Sequence, residues 1–182
     1  MFARLKNLRT KLRRFRKARR GSAAIEFSLV VIPFFMLTAG LAEVAMMGFA
    51  QASLDSAVAE AARLIRTGQA QTTNMTQTQI NDLICTEVNK FFVLTCTGNL
   101  YLDVDRFNSF VDADTNNSDP MASGDFDPTG FTYSPGVASD IVVVRAYYRW
   151  HVLTPMFEPI FQNASGGDRI LVSTMMFRNE PW

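Results

Sequence analysis

The feature that most constrains this chain is an apolar run behind a block of positive charge. Ten cations, Arg4, Lys6, Arg9, Lys11, Arg13, Arg14, Arg16, Lys17, Arg19 and Arg20, fall in the first twenty residues without a single acid. The run then extends from Phe27 to Ala50, 24 residues broken only by Glu43. As helix at 1.5 Å per residue this is about 36 Å, against a hydrocarbon core of about 30 Å. A buried helix of a soluble protein would seldom follow ten cations and carry Phe, Val, Ile and Met on every side. The expectation is one membrane span, and the positive-inside rule then keeps residues 1–21 in the cytoplasm and places the rest beyond the span outside it.

Composition agrees with two environments. The whole chain of 182 residues has 18 Lys+Arg against 17 Asp+Glu, so 8 cations and 17 anions, a net −9, remain after the basic block. At this length one folded unit is expected. With 48% hydrophobic residues the chain is too apolar for general disorder, and one His with two Cys cannot supply the usual ligands of a zinc site.

Three residues disturb the span. Glu26 and Glu43 lie in or beside lipid, where a central acid costs about 2.5 to 3.5 kcal/mol on insertion scales, so each needs a partner or a shallow position. Snorkelling toward headgroups, Arg19 or Arg20 serves Glu26, and approach to the far interface serves Glu43. Pro33 is expected to kink or locally open the helix. Beyond the run, Leu54, Val58, Ala61 and Leu64 or Ile65 recur at helical spacing while Gln51, Asp55, Glu60 and Arg63 serve a wet face. Gly68 suits a C-cap, so one helix is expected from about Ser22 to Thr67.

The residues around the basic block resemble a known family. Gly21, four residues, then Glu26-Phe27, behind a basic leader and ahead of an apolar helix, resembles the processing site of type IV prepilins of the Flp/Tad type. Ala61-Ala-Arg-Leu-Ile-Arg-Thr-Gly-Gln69 and Phe177-Arg-Asn-Glu-Pro181 are similar to signatures of TadE-like pseudopilins. The resemblance implies cleavage after Gly21 by a prepilin peptidase, Ser22 as the new N-terminus, and Phe27 as the flanking motif residue. It further implies that Glu26 pairs with the free amine of a neighbouring subunit, and that the partners are other pilins or pseudopilins, the Tad assembly machinery and inner-membrane lipid. An ordinary secretory signal ending at Ala50-Gln51-Ala52 is the rival, but the apolar run far exceeds a signal's h-region of about 7 to 15 residues.

The remainder, residues 69–182, is expected to be a periplasmic α+β domain: a long helix packed on a small antiparallel sheet, pilin-like in plan. Residues 69–78 are polar and suit a connection, followed by a short helix around Ile80 to Phe92. Cys85 and Cys96, eleven positions apart in an oxidising compartment, are expected to form a disulfide. Alternation marks strands at Leu100 to Asp105, Ile141 to Leu153 and Arg169 to Phe177, the last after a Gly166-Gly167 turn. The second strand sets Val142, Val144, Ala146, Tyr148, Trp150 and Val152 against Arg145, Tyr147, Arg149 and His151, so it is expected to be half-buried. In the third, Ile170, Val172, Thr174 and Met176 share one side.

Catalytic constellations are not legible. His151 has no nucleophile in fixed relation to it, and no phosphate-binding glycine loop occurs. The acidic stretch from Asp112 to Asp127 has oxygen ligands at alternate positions, but Asn117 stands where an EF-hand needs Gly and Ser123 where it needs its bidentate Glu. A solvated loop is the expectation there. The basic block lacks interleaved stacking aromatics, so lipid and topology, rather than nucleic acid, account for it. The sequence points to a non-enzymatic, cofactor-free minor pseudopilin, with an uncleaved membrane-anchored scaffold or a periplasmic binding module as alternatives.

Overall fold

The computed structural model describes residues 20–90, 95–115 and 119–182, so the basic block up to Arg19 lies outside the described residues. Helix α1 (Arg20–Arg66) is followed by a one-turn helix α2 (Gln69–Thr72) and by α3 (Gln77–Val88). Strand β1 (Leu100–Phe107), helix α4 (Phe110–Thr115), strand β2 (Ile141–His151), the one-turn helix α5 (Glu158–Phe161) and strand β3 (Asp168–Arg178) complete the order. The three strands form an antiparallel sheet in the order β1-β2-β3, with Asp103 opposite Arg145 and Tyr148 opposite Leu171. A long apolar helix with a small antiparallel sheet is the α+β plan the sequence implies.

The chain divides into two compact units, the first ending at Ala42 and the second running from Glu43 to Trp182. In the first unit no residue from Ala23 to Ala42 is buried. At 1.5 Å per residue that stretch is about 30 Å of helix, the thickness of a hydrocarbon core. Its hydroxyls turn back on the helix: Ser28 Oγ donates to the Ile25 carbonyl at 2.9 Å and Thr38 Oγ1 to the Phe34 carbonyl at 2.9 Å. That is the arrangement a segment without water requires. The helix continues on both sides of Pro33, which has no N–H to give the ladder.

In the second unit the helix is amphipathic. Met47, Ala50, Leu54, Ala57, Val58, Ala61 and Ile65 are buried with Ile80, Ile84 and Val88 of α3 against one face of the sheet. That face carries Leu100, Leu102 and Val104 of β1, then Val142, Val144, Ala146, Tyr148 and Trp150 of β2, and Leu171 of β3. Met175 and Phe177 also face this core, so the side of β3 bearing Val172, Thr174 and Met176 looks away from it.

Two expectations change. Strand β2 is not half-buried: its second face is covered by a smaller core in which Phe126, Ala164 and Ile170 enclose Tyr147. The Phe131 and Tyr147 rings stack at 4.9 Å. A long connection that composition marks as polar thus returns aromatic residues to the sheet. Second, α3 begins at Gln77, because Thr76 and Gln79 form a capping box, and it ends at Val88 with Asn89 as C-cap. The stretch proposed as a plain connection therefore contains α2 and the start of α3.

The outer edge of β1 is closed. Gln77 Nε2 donates to the Leu102 carbonyl at 2.8 Å, and the Val104 amide and carbonyl bond to Thr132 and Ser134 at 2.9 and 2.7 Å. A blunted edge offers no template for a foreign strand.

Candidate functional site

The site suggested by sequence is the head of α1. Gly21 and Ser22 lie in its first turns, and Glu26 and Phe27 follow, both exposed, with Phe27 at 69%. Ile25, Leu29, Val30 and Ile32 are likewise exposed, so this end of the helix presents an unbroken apolar surface around one carboxylate. Such a surface suits lipid or other helices.

Glu43 has a role that composition alone did not reveal. It is fully buried and accepts three hydrogen bonds, from Trp150 Nε1 at 3.3 Å, the Leu153 amide at 3.0 Å and Thr154 Oγ1 at 3.1 Å. A buried carboxylate is tolerated when donors replace its hydration, and here the exit of β2 supplies them. The partner that a carboxylate beside lipid needs is thus a specific socket. The signal was present in the break at Glu43, but its partners lie more than a hundred residues away.

The two motifs at the far end of the helix meet. Gly68 adopts φ +76°, which ends α1, and an added Cβ there would collide with the Trp182 indole. The Glu180 amide donates to the Arg66 carbonyl at 2.9 Å, and the Arg66 guanidinium pairs with the Glu180 carboxylate at 3.1 Å. Asn179 is buried, its Nδ2 donating to the carbonyls of Pro135 and Val137, each at 3.0 Å. The helix cap and the Phe177–Pro181 stretch therefore form one clasp.

Cys85 and Cys96 are joined as expected, their Cα atoms 5.5 Å apart. On the second face of the sheet Arg145 is buried between Asp103 at 3.1 Å and Asp105 at 3.2 Å. Burial raises the Asp103 carboxyl above the ordinary range, against the lowering effects of the Thr132 amide and the Arg145 guanidinium. His151 is exposed and sits 2.9 Å from Asp168, which Arg149 also approaches at 3.5 Å.

Three carboxylates of the acidic stretch are taken up by backbone amides close in sequence and by Ser165. Asp119 accepts from the Met121 amide at 2.9 Å, Asp127 from the Thr129 amide at 2.9 Å, and Asp125 from the amides of Phe126 at 2.8 Å and Ser165 at 2.9 Å. Ser165 Oγ donates to Asp125 as well, and these donors hold its carboxyl down to about 2. Among the described residues no group of three or more His, Cys, Asp or Glu is arranged to hold a metal ion. Residues 116–118 of this stretch, including Asn117, lie outside the described residues.

Comparison with known proteins bears on the head of α1 directly. A family model described as TadE-like protein matches residues 21–63, the family that the sequence motifs resemble. The match contains Gly21, Glu26, Phe27 and Glu43 and ends before the clasp. No curated protein and no solved structure matches the chain. The matched segment, 43 of the 182 residues, is thus similar to a family associated with Tad pili, and α1 is long and apolar enough to cross a membrane.

Proposed function

We propose that this TadE-like chain is a minor pseudopilin of a Tad-type adherence pilus, cleaved after Gly21 by a prepilin peptidase. The observation that carries the reading is the Gly21–Glu26–Phe27 arrangement at the head of a helix in which no residue from Ala23 to Ala42 is buried, within the matched residues. The chain sits in the bacterial inner membrane by residues 22–42, with the basic leader in the cytoplasm and the sheet domain in the periplasm.

Leader removal does two things in this mechanism. Ten cations cannot be drawn through lipid, so the leader anchors the helix, and cutting it frees outward movement. The cut also creates an ammonium at Ser22. In a low dielectric that ammonium and the Glu26 carboxylate of a neighbouring subunit offset each other's burial. Other pilins or pseudopilins and the assembly machinery are the partners, and the sheet domain is the periplasmic contact surface.

Replacing Gly21 by a bulky residue such as Leu tests this. The expected outcome is an unprocessed chain that stays in the membrane and a loss of assembled pili. Normal processing with normal pili contradicts the reading.

A further inference from the structure

A protein segment that lies in a bilayer surface shows exposed apolar side chains, little exposed charge and an anchor that holds it at the right depth. Residues 153–161, Leu-Thr-Pro-Met-Phe-Glu-Pro-Ile-Phe, have all three. Leu153, Met156 and Ile160 are 50%, 53% and 70% exposed. The Phe157 and Phe161 rings brace the segment at 5.7 Å. Its single charge, Glu158, folds back against Gly167, where an added Cβ would lie 3.0 Å from the carboxyl carbon. Arg169 donates to the Phe161 carbonyl at 3.0 Å, which sets a cation at the edge of the apolar surface, where anionic headgroups would lie.

The anchor decides the occupant. The Leu153 amide and the Thr154 hydroxyl are bonded to Glu43, and Glu43 is the residue immediately after Ala42, where the exposed apolar stretch of α1 ends. A helix that crosses the bilayer with residues 23–42 brings Glu43 to the bilayer surface and the start of this segment with it.

We infer that residues 153–161 form a lipid-contacting knuckle in the leaflet on the domain's side, held at the bilayer surface by Glu43. The inference rests on the reading of residues 23–42 as a span. The knuckle is a second membrane attachment, and a subunit leaving the bilayer must release it as well as the helix.

The test uses the full chain in vesicles of phosphatidylethanolamine and phosphatidylglycerol. Met156→Cys, Phe35→Cys and Val137→Cys each carry one environment-sensitive dye, because Cys85 and Cys96 are already joined. Val137 is 62% exposed, and its carbonyl is bonded by Asn179 beside the Arg66–Glu180 pairing at the opposite end of the helix. Nitroxide lipids labelled near the headgroup or near the chain end act as quenchers. The expected result is quenching of the Phe35 and Met156 probes but not of Val137. Met156 should be quenched at least about twofold more by the shallow nitroxide, given an insertion depth of about 5 to 10 Å. A Met156 probe as unquenched as Val137, with Phe35 quenched, overturns the knuckle and leaves the span standing. A Met156 probe shielded from aqueous iodide yet insensitive to either lipid assigns the surface to a second copy of the chain and equally overturns it. An unquenched Phe35 removes the span, and the knuckle falls with it.

Discussion

Single residues carry more of this structure than their number suggests, and Glu43 is the foremost. Its socket brings three donors, from Trp150, Leu153 and Thr154, onto one buried carboxylate. Glu43→Ala strands those donors and should cost about 3 kcal/mol or more, whereas Glu43→Gln, which keeps the acceptor oxygen, should cost about half as much. Denaturant titration in detergent measures both. Gly68 is the second such position: Gly68→Ala meets both the left-handed backbone and the Trp182 ring, with an expected loss of about 1 to 2 kcal/mol from the backbone alone. Asp125 gives a pH signature. Its carboxyl lies at about 2 in the folded domain against an ordinary 3.8, so its stabilising effect is present above the ordinary value and vanishes as pH falls toward about 2. Thermal unfolding of Asp125→Asn should therefore be lower than wild type near neutrality, and the gap should close on acidification to about pH 2. None of these three partnerships was legible in sequence. Glu43 was visible as an anomaly in an apolar run, but hydrogen-bond partners at a separation of 107 to 111 residues leave no local pattern.

At the level of elements, local periodicity was a good guide and environment was not. The strands lie within a residue or two of where alternation placed them, since a period of two is a property of the strand itself. What alternation could not show is which face is covered from outside the strand. Arg145 on β2 looks like a solvent residue until Asp103 stands opposite it, Asp105 reaches it from the diagonal position and the Phe126–Phe131 connection closes over that face. Helix α3 began earlier than hydrophobic periodicity implied, because a capping box of Thr and Gln carries no apolar signal. The disulfide was anticipated from spacing and compartment, and it ties α3 to the segment leading into β1. Reducing it should destabilise the domain by roughly 3 kcal/mol, read as a lower midpoint in denaturant with dithiothreitol present.

For the whole molecule, the division at Glu43 separates residues 23–42, none of them buried, from a domain with two cores. The sequence showed the long apolar run but not where it stops being exposed. From Met47 onward the same kind of residue is buried against the sheet, which leaves residues 23–42 to match a bilayer. Alkaline carbonate should accordingly fail to extract the protein from membranes even after leader removal, because about 20 apolar residues suffice to span. The central claim is the cut beside Gly21, and N-terminal sequencing of the protein purified from native membranes tests it most directly. The account predicts a chain beginning at Ser22 and continuing Ala-Ala-Ile-Glu-Phe; a chain that still begins at Met1, or that begins beyond Ala50, contradicts it.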